Sequence, residues 1–207
     1  MMKAYRLAAL AAVLVVGAVT PANAIPVTYS TAGVFGSSGT NILNQDGVRI
    51  DFNNLASTTV NPPPTTNALF GSFTTLAAPA SPGVTLVDTF TLTITQTAPA
   101  PGGTAVFTST VGGNIFIGNS QAFVQFNGPL TRTIAGGVNT TFYRIVEGDD
   151  ATGTGGRLEL FGGVNQVSTL NGEIGIVAVP EPGTMALACI ALPMLGVGFA
   201  RHRRRNA

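Results

Sequence analysis

Along residues 84–95 apolar and polar side chains alternate with a period of two. Val84, Leu86, Phe90, Leu92 and Ile94 hold the even positions, and Thr85, Thr89, Thr91, Thr93 and Thr95 hold the odd ones. Successive side chains of a strand point to opposite faces, so this spacing predicts one buried face and one threonine-covered face. Val87 and Asp88 interrupt the pattern, and Asp88 falls on the apolar side, where a carboxylate belongs only near a rim, a bulge or an ion. The same alternation recurs where Val48, Ile50 and Phe52 flank Arg49 and Asp51, and where Leu158 and Leu160 flank Arg157 and Glu159. Thr, Val and Phe suit a pleated, half-buried surface. No segment of the middle of the chain carries the period of an amphipathic helix.

Turn signals punctuate these runs at Asp46-Gly47, Gly112-Gly113, Gly136-Gly137, Gly155-Gly156, Gly162-Gly163 and Asn171-Gly172. Pro62-Pro63-Pro64, Pro79–Pro82 and Pro99–Pro101 mark longer loops. The strands predicted between them are 27–35, 47–53, 67–76, 84–96, 104–111, 114–118, 121–127, 130–134, 140–147, 156–161 and 172–178. Many short strands with frequent turns favour an all-β fold, an antiparallel β-sandwich of jelly-roll-like type. A β-solenoid would need a fixed repeat period, and none is present.

The two ends read as addresses. Residues 1–24 have the order of a secretory signal peptide: Lys3 and Arg6, an apolar run from Leu7 to Val19, Pro21, and the small-residue cleavage site Ala22-Asn23-Ala24. Cleavage there would leave Ile25 as the new terminus. At the other end Pro180-Glu181-Pro182 precedes an uncharged segment, 184–200, and then Arg201, Arg203, Arg204 and Arg205. As a helix that segment would be about 25 Å long, at the short end for a hydrocarbon core of ~30 Å. The arginines behind it fit a tail retained in the cytoplasm. Export plus this stop would place the exported domain, 25–179, beyond the inner membrane and leave 180–207 as a sorting and anchor segment.

This tail resembles the PEP-CTERM sorting signal of bacterial exported proteins, in which a Pro-Glu-Pro motif, a short span and an Arg-rich end follow one another. The resemblance covers only the last residues, from about Pro180 to the end. It implies processing near the motif by an exosortase, a membrane-embedded cysteine-protease-like enzyme. It also implies a destination at the cell surface or in the exopolysaccharide matrix, with exopolysaccharide as a candidate partner. Pro180 and Pro182 disfavour helix around Glu181, so the motif is expected as an extended stretch ahead of the span.

Composition narrows what the middle can do. The only Cys is Cys189 and the only His is His202, so residues 25–179 have neither. That removes Cys–His and Ser–His–Asp catalysis and imidazole- or thiolate-bound zinc from this region, and a lone Cys offers no intrachain disulfide. Four arginines against eight acids and no lysine leave 25–179 acidic, which disfavours nucleic-acid binding. Glu147, Asp149 and Asp150 form the densest acidic cluster. Loop carboxylates can ligate Ca²⁺, but the spacing is not that of an EF-hand, and a solvated hairpin between 140–147 and 156–161 is expected instead. Their crowding also disfavours the opposed acid and base of a glycosidase. Sugar-stacking aromatics are scarce, with no Trp and only Tyr29 and Tyr143 in the middle; its phenylalanines are expected in the core. Asn139-Thr140-Thr141 is expected as a loop-to-strand junction.

The expectation is therefore a non-enzymatic structural protein of the cell surface or extracellular matrix, with no catalytic residue, metal ligand or cofactor. A Ca²⁺- or polysaccharide-binding surface module is the alternative, and a carboxylate-only glycan hydrolase is the third reading. The alternation at 84–95 makes a direct prediction. Leu92→Ala should cost roughly 2–5 kcal/mol as a core truncation, and Thr93→Ala no more than about 0.5 kcal/mol. Denaturant melts showing equal losses would contradict a two-faced strand.

Overall fold

The computed structural model describes residues 25–62, 65–80, 82–136, 139–147 and 154–178. The chain forms β1 (Val27–Phe35), β2 (Ile42–Gln45), β3 (Val48–Asn53), β4 (Thr58–Val60), β5 (Thr65–Ala77), β6 (Val84–Ala98), β7 (Gly103–Phe116), β8 (Asn119–Ser120), β9 (Phe123–Pro129), β10 (Thr131–Gly136), β11 (Asn139–Ile145), β12 (Thr154–Glu159) and β13 (Gln166–Ala178). The described residues contain no helix. Each predicted strand corresponds to part or all of one of these, and 104–111 and 114–118 are two parts of the single strand β7. The signal peptide and the C-terminal span lie outside the described residues.

Every pairing is antiparallel, in two sheets. The first has the order β12-β9-β7-β6-β1-β4, with β8 on β7; the second has the order β10-β11-β13-β5-β3-β2. Between them lies one apolar core. Phe35 and Phe90 reach in from the first sheet and Phe52 and Phe73 from the second; the Phe52–Phe73, Phe52–Phe90 and Phe73–Phe90 ring centroids are each 4.9 Å apart. Offset and tilted rings at such separations add about 0.5–1.5 kcal/mol per pair beyond their burial. The alternation at 84–95 holds throughout β6: Leu86, Phe90, Leu92 and Ile94 are buried, and the threonines between them face outward.

The order is richer in hairpins than the jelly-roll-like expectation. The connections β2–β3, β6–β7 and β10–β11 stay within a sheet, whereas a jelly roll builds from Greek keys that pass between sheets. Asp46-Gly47 makes the β2–β3 turn as expected, with φ of 47° and 84°. Two residues with positive φ define the type I′ hairpin turn that matches strand twist. Three other glycine signals are not turns: Gly155-Gly156 lies inside β12, with Gly156 paired to Phe126, and two more lie inside β7 and β13. β7 continues through Gly112-Gly113, with Gly112 paired to Phe123 and Gly113 at φ 89°. Asn171-Gly172 lies inside β13, just after a bulge at Leu170/Asn171. The acidic segment is not a hairpin either, because β11 and β12 belong to different sheets.

Gly172 sits in mid-strand for a packing reason. A Cβ there would overlap the ring of Phe70, a fully buried side chain on the neighbouring β5. Gly172→Ala is therefore expected to destabilise the domain by roughly 1–3 kcal/mol through overpacking, measured by denaturant unfolding. A neutral result would mean that the Phe70 ring has room to move.

Candidate functional site

The sorting residues Pro180, Glu181 and Pro182, the cleavage residues Ala22 and Ala24, the span 184–200 and Arg201, Arg203, Arg204 and Arg205 lie outside the described residues. The structure does define where the folded domain meets them. Ala178, the last residue of β13, pairs with Asn139 of β11, and β13 is itself flanked by β11 and β5. The Pro-Glu-Pro motif thus begins two residues beyond an interior strand of the second sheet. At the other terminus Ile25 and Pro26 lead directly into β1.

The carboxylates of the middle are dispersed, and most are engaged. Glu147 Oε1 accepts the Asn171 backbone N–H at 3.2 Å and its side-chain amide at 2.6 Å, which ties the end of β11 to the bulge in β13. Asp149 and Asp150 lie outside the described residues. Asp51 accepts two bonds from Arg49, at 2.9 and 3.0 Å. Glu159 accepts one from Arg157 at 2.6 Å, and Glu173 faces Arg144 at 3.9 Å. Asp88 lies at the rim, as its place in the strand pattern required. It accepts from Ser37 N at 3.0 Å, Ser37 Oγ at 2.6 Å and Thr89 N at 2.7 Å, and so braces the turn after β1. Among the described residues no three His, Cys, Asp or Glu side chains cluster as a metal site.

A cleft of about 590 Å³ lies beside β8 and the β12–β13 connection, lined among others by Asn119, Ser120, Glu159, Phe161 and Gln166. Glu159 is the sole titratable side chain in its lining among the described residues and is held by Arg157, whose guanidinium also stacks 3.9 Å over the Phe123 ring. Its described lining thus offers one carboxylate, where glycoside hydrolysis uses two.

The outer face of the first sheet carries a double row of threonines. Thr89 is opposite Thr110, Thr91 opposite Thr108, and Thr95 opposite Thr104. None of these hydroxyls has a hydrogen-bond partner among the described residues, so the row is a neutral, water-facing surface.

Sequence reasoning did not find a buried polar network at one side of the core. Tyr143 Oη donates to Gln96 Oε1 at 2.9 Å, and Gln96 Nε2 donates to the Pro99 carbonyl at 3.1 Å. Tyr29 Oη donates to the Leu69 carbonyl at 2.9 Å, and the two tyrosine rings are 6.1 Å apart. Both tyrosines are buried, which removes them as sugar-stacking platforms. The one legible signal was Gln96, which extends the apolar face of β6 with a polar side chain.

Residues 178–205 match the model of the PEP-CTERM protein-sorting motif. No curated protein and no solved structure matches the chain.

Burial pushes the Tyr29 hydroxyl up to about 12 and raises that of Tyr143 as well, with the neighbouring phenol adding to the latter shift. An unfolded tyrosine ionises near 10. The folded state therefore keeps protons that the unfolded chain releases, and stability is full below pH 10 and falls between pH 10 and 12. Unfolding midpoints should decline across that window, and less steeply in Tyr29→Phe. At neutral pH Tyr143→Phe should cost roughly 1–3 kcal/mol by stranding Gln96 Oε1. A flat alkaline profile would contradict the buried-phenol arrangement.

Proposed function

We propose that the chain is an exported, membrane-held surface domain, delivered by its C-terminal signal to an exosortase and released to the cell surface or extracellular matrix. The observation that carries this reading is the match of residues 178–205 to a sorting motif that starts where β13 ends. A sorting motif of this kind implies export and transit through the membrane. The uncleaved order of signal peptide, all-β domain, motif, apolar segment and arginines supports the same route.

The domain's role is structural and non-enzymatic in this reading. Residues 25–179 contain no Cys or His, and the described carboxylates are dispersed and largely committed to neighbours. A threonine-rich outer sheet face supports service in a hydrated matrix. Hydrolase screening of the exported protein should find no glycan turnover. Activity lost on mutating Glu147 or Glu159, with the fold intact, would contradict that assignment.

Delivery is tested by pulse-labelling a chain with an epitope after Ala207, in a cell that has the processing enzyme. Wild type should lose the epitope. Replacing Pro180-Glu181-Pro182 by three alanines should leave export and insertion intact and preserve the tail. Replacing Arg201, Arg203, Arg204 and Arg205 by asparagine should let the tail slip outward. Indefinite retention of the epitope by wild type would make the segment a plain anchor and overturn the sorting assignment.

A further inference from the structure

We propose that the cleft beside β8 and the β12–β13 connection binds an uncharged saccharide, with Phe161 as the surface on which a sugar ring stacks. The proposal rests on the surface-or-matrix reading above and names a class of partner for it.

Phe161 departs from the rule that the phenylalanines of this domain fill its core. Among the described residues it is the one exposed aromatic side chain, at 54%, whereas the other phenylalanines and both tyrosines are buried or half-buried. Its backbone is nevertheless fixed. Phe161 N–H donates to Ser168 Oγ at 3.1 Å, and Thr75 Oγ1 donates to the Phe161 carbonyl at 2.7 Å. Ser168 and Thr75 are both buried. The next residue, Gly162, lies so close to the β7–β8 connection that a Cβ there would collide with the carbonyls of Phe116 and Asn119. The exposed ring thus stands on a rigid support, which reduces the ordering entropy lost when a ligand binds.

The rest of the described lining is polar. Asn119 and Gln166 present side-chain amides that make no hydrogen bond to the described residues, and each amide can donate and accept. Ser120 Oγ accepts the Ala122 N–H at 3.1 Å and keeps its own proton to donate. The single carboxylate, Glu159, is balanced by Arg157 at 2.6 Å. A sugar ring matches this set. Its apolar C–H face meets Phe161, and its hydroxyls, donors and acceptors at once, meet the amides, Ser120 and Glu159. The volume of about 590 Å³ lies within the roughly 300–1,000 Å³ of ligand clefts. A bare Ca²⁺ ion would require about six to eight oxygens, a polyanion would find no excess positive charge, and a wholly apolar ligand would strip water from the amides without replacing it.

Position supports the same partner. Gln166 opens β13, and Ala178, at the other end of that strand, adjoins the sorting segment. Thirteen residues at ~3.3 Å each put about 40 Å between them. All the lining residues lie among the described ones, and β12 runs from Thr154 to Glu159, so the acidic segment joins that strand about 17 Å from the cleft. The cleft stands clear of the point where the sorting segment attaches, so binding a matrix polymer does not require that the tail be removed first.

The test runs the full chain, in detergent micelles, through native affinity gels containing dextran, hydroxyethyl cellulose or galactomannan, with alginate as the polyanionic control. At least one neutral polymer should retard the wild type, and alginate should retard it severalfold less. Phe161→Ala should lose that retardation severalfold and Phe161→Tyr should retain it. Asn119→Ala and Gln166→Ala should each weaken it. These side chains are exposed, so the variants should unfold at the wild-type midpoint; if Phe161→Ala does not fold, Asn119→Ala and Gln166→Ala decide. No retardation of the wild type by any of the three neutral polymers, equal retardation by alginate, or wild-type retardation of the folded cleft variants would overturn the proposal. A chain in micelles bypasses sorting, so these outcomes leave the delivery reading standing, and failure of delivery is read separately from the epitope.

Discussion

The domain depends on the tilted and edge-on interlocking of aromatic rings between its two sheets. With no disulfide available in the exported region and few charges to pair, burial is its main source of stability. Phe35 and Phe90 from one sheet meet Phe52 and Phe73 from the other at ring separations of 4.9–6.3 Å. The backbone yields to these rings. Gly33 and Gly71, on opposite sheets, both lie where a side chain would collide with Phe52. The second aromatic group, Tyr29, Phe70 and Tyr143, extends the same layer along the sandwich.

A core held in this way frees the surface from stabilising duties. The outward positions of β6 and β7 are mostly threonine and carry no charge, and two of the ion pairs among the described residues, Arg49 with Asp51 and Arg157 with Glu159, join residues two apart on a single strand. Such exposed pairs add little to stability. The charges that remain are therefore free to be distributed by other constraints.

The strands with regular alternation were legible in the sequence because a period of two in β1, β3 and β6 is a local signal. The short edge strands β2, β4 and β8 were not, since Ile42–Gln45 and Thr58–Val60 carry no alternation and exist because β3 and β1 offer them a ladder. Asn171-Gly172 reads as a turn in isolation and is a strand because Phe70, a residue of another strand, fills the space above the glycine. The tyrosine network was hidden for the same reason: Tyr143 and Gln96 are far apart in sequence. The sorting signal was the most legible feature of all. It is read as a linear motif, and its three elements need no fold to bring them together; the family match over 178–205 agrees with it.

The central claim is that the chain is a transit form, trimmed at both ends. The most direct test is the intact mass of the protein recovered from cells that have the processing enzyme. The account predicts a chain that starts at Ile25 and ends between Ala178 and Thr184, without the apolar segment or its arginines. A mature protein whose mass still includes every residue through Ala207 would contradict it.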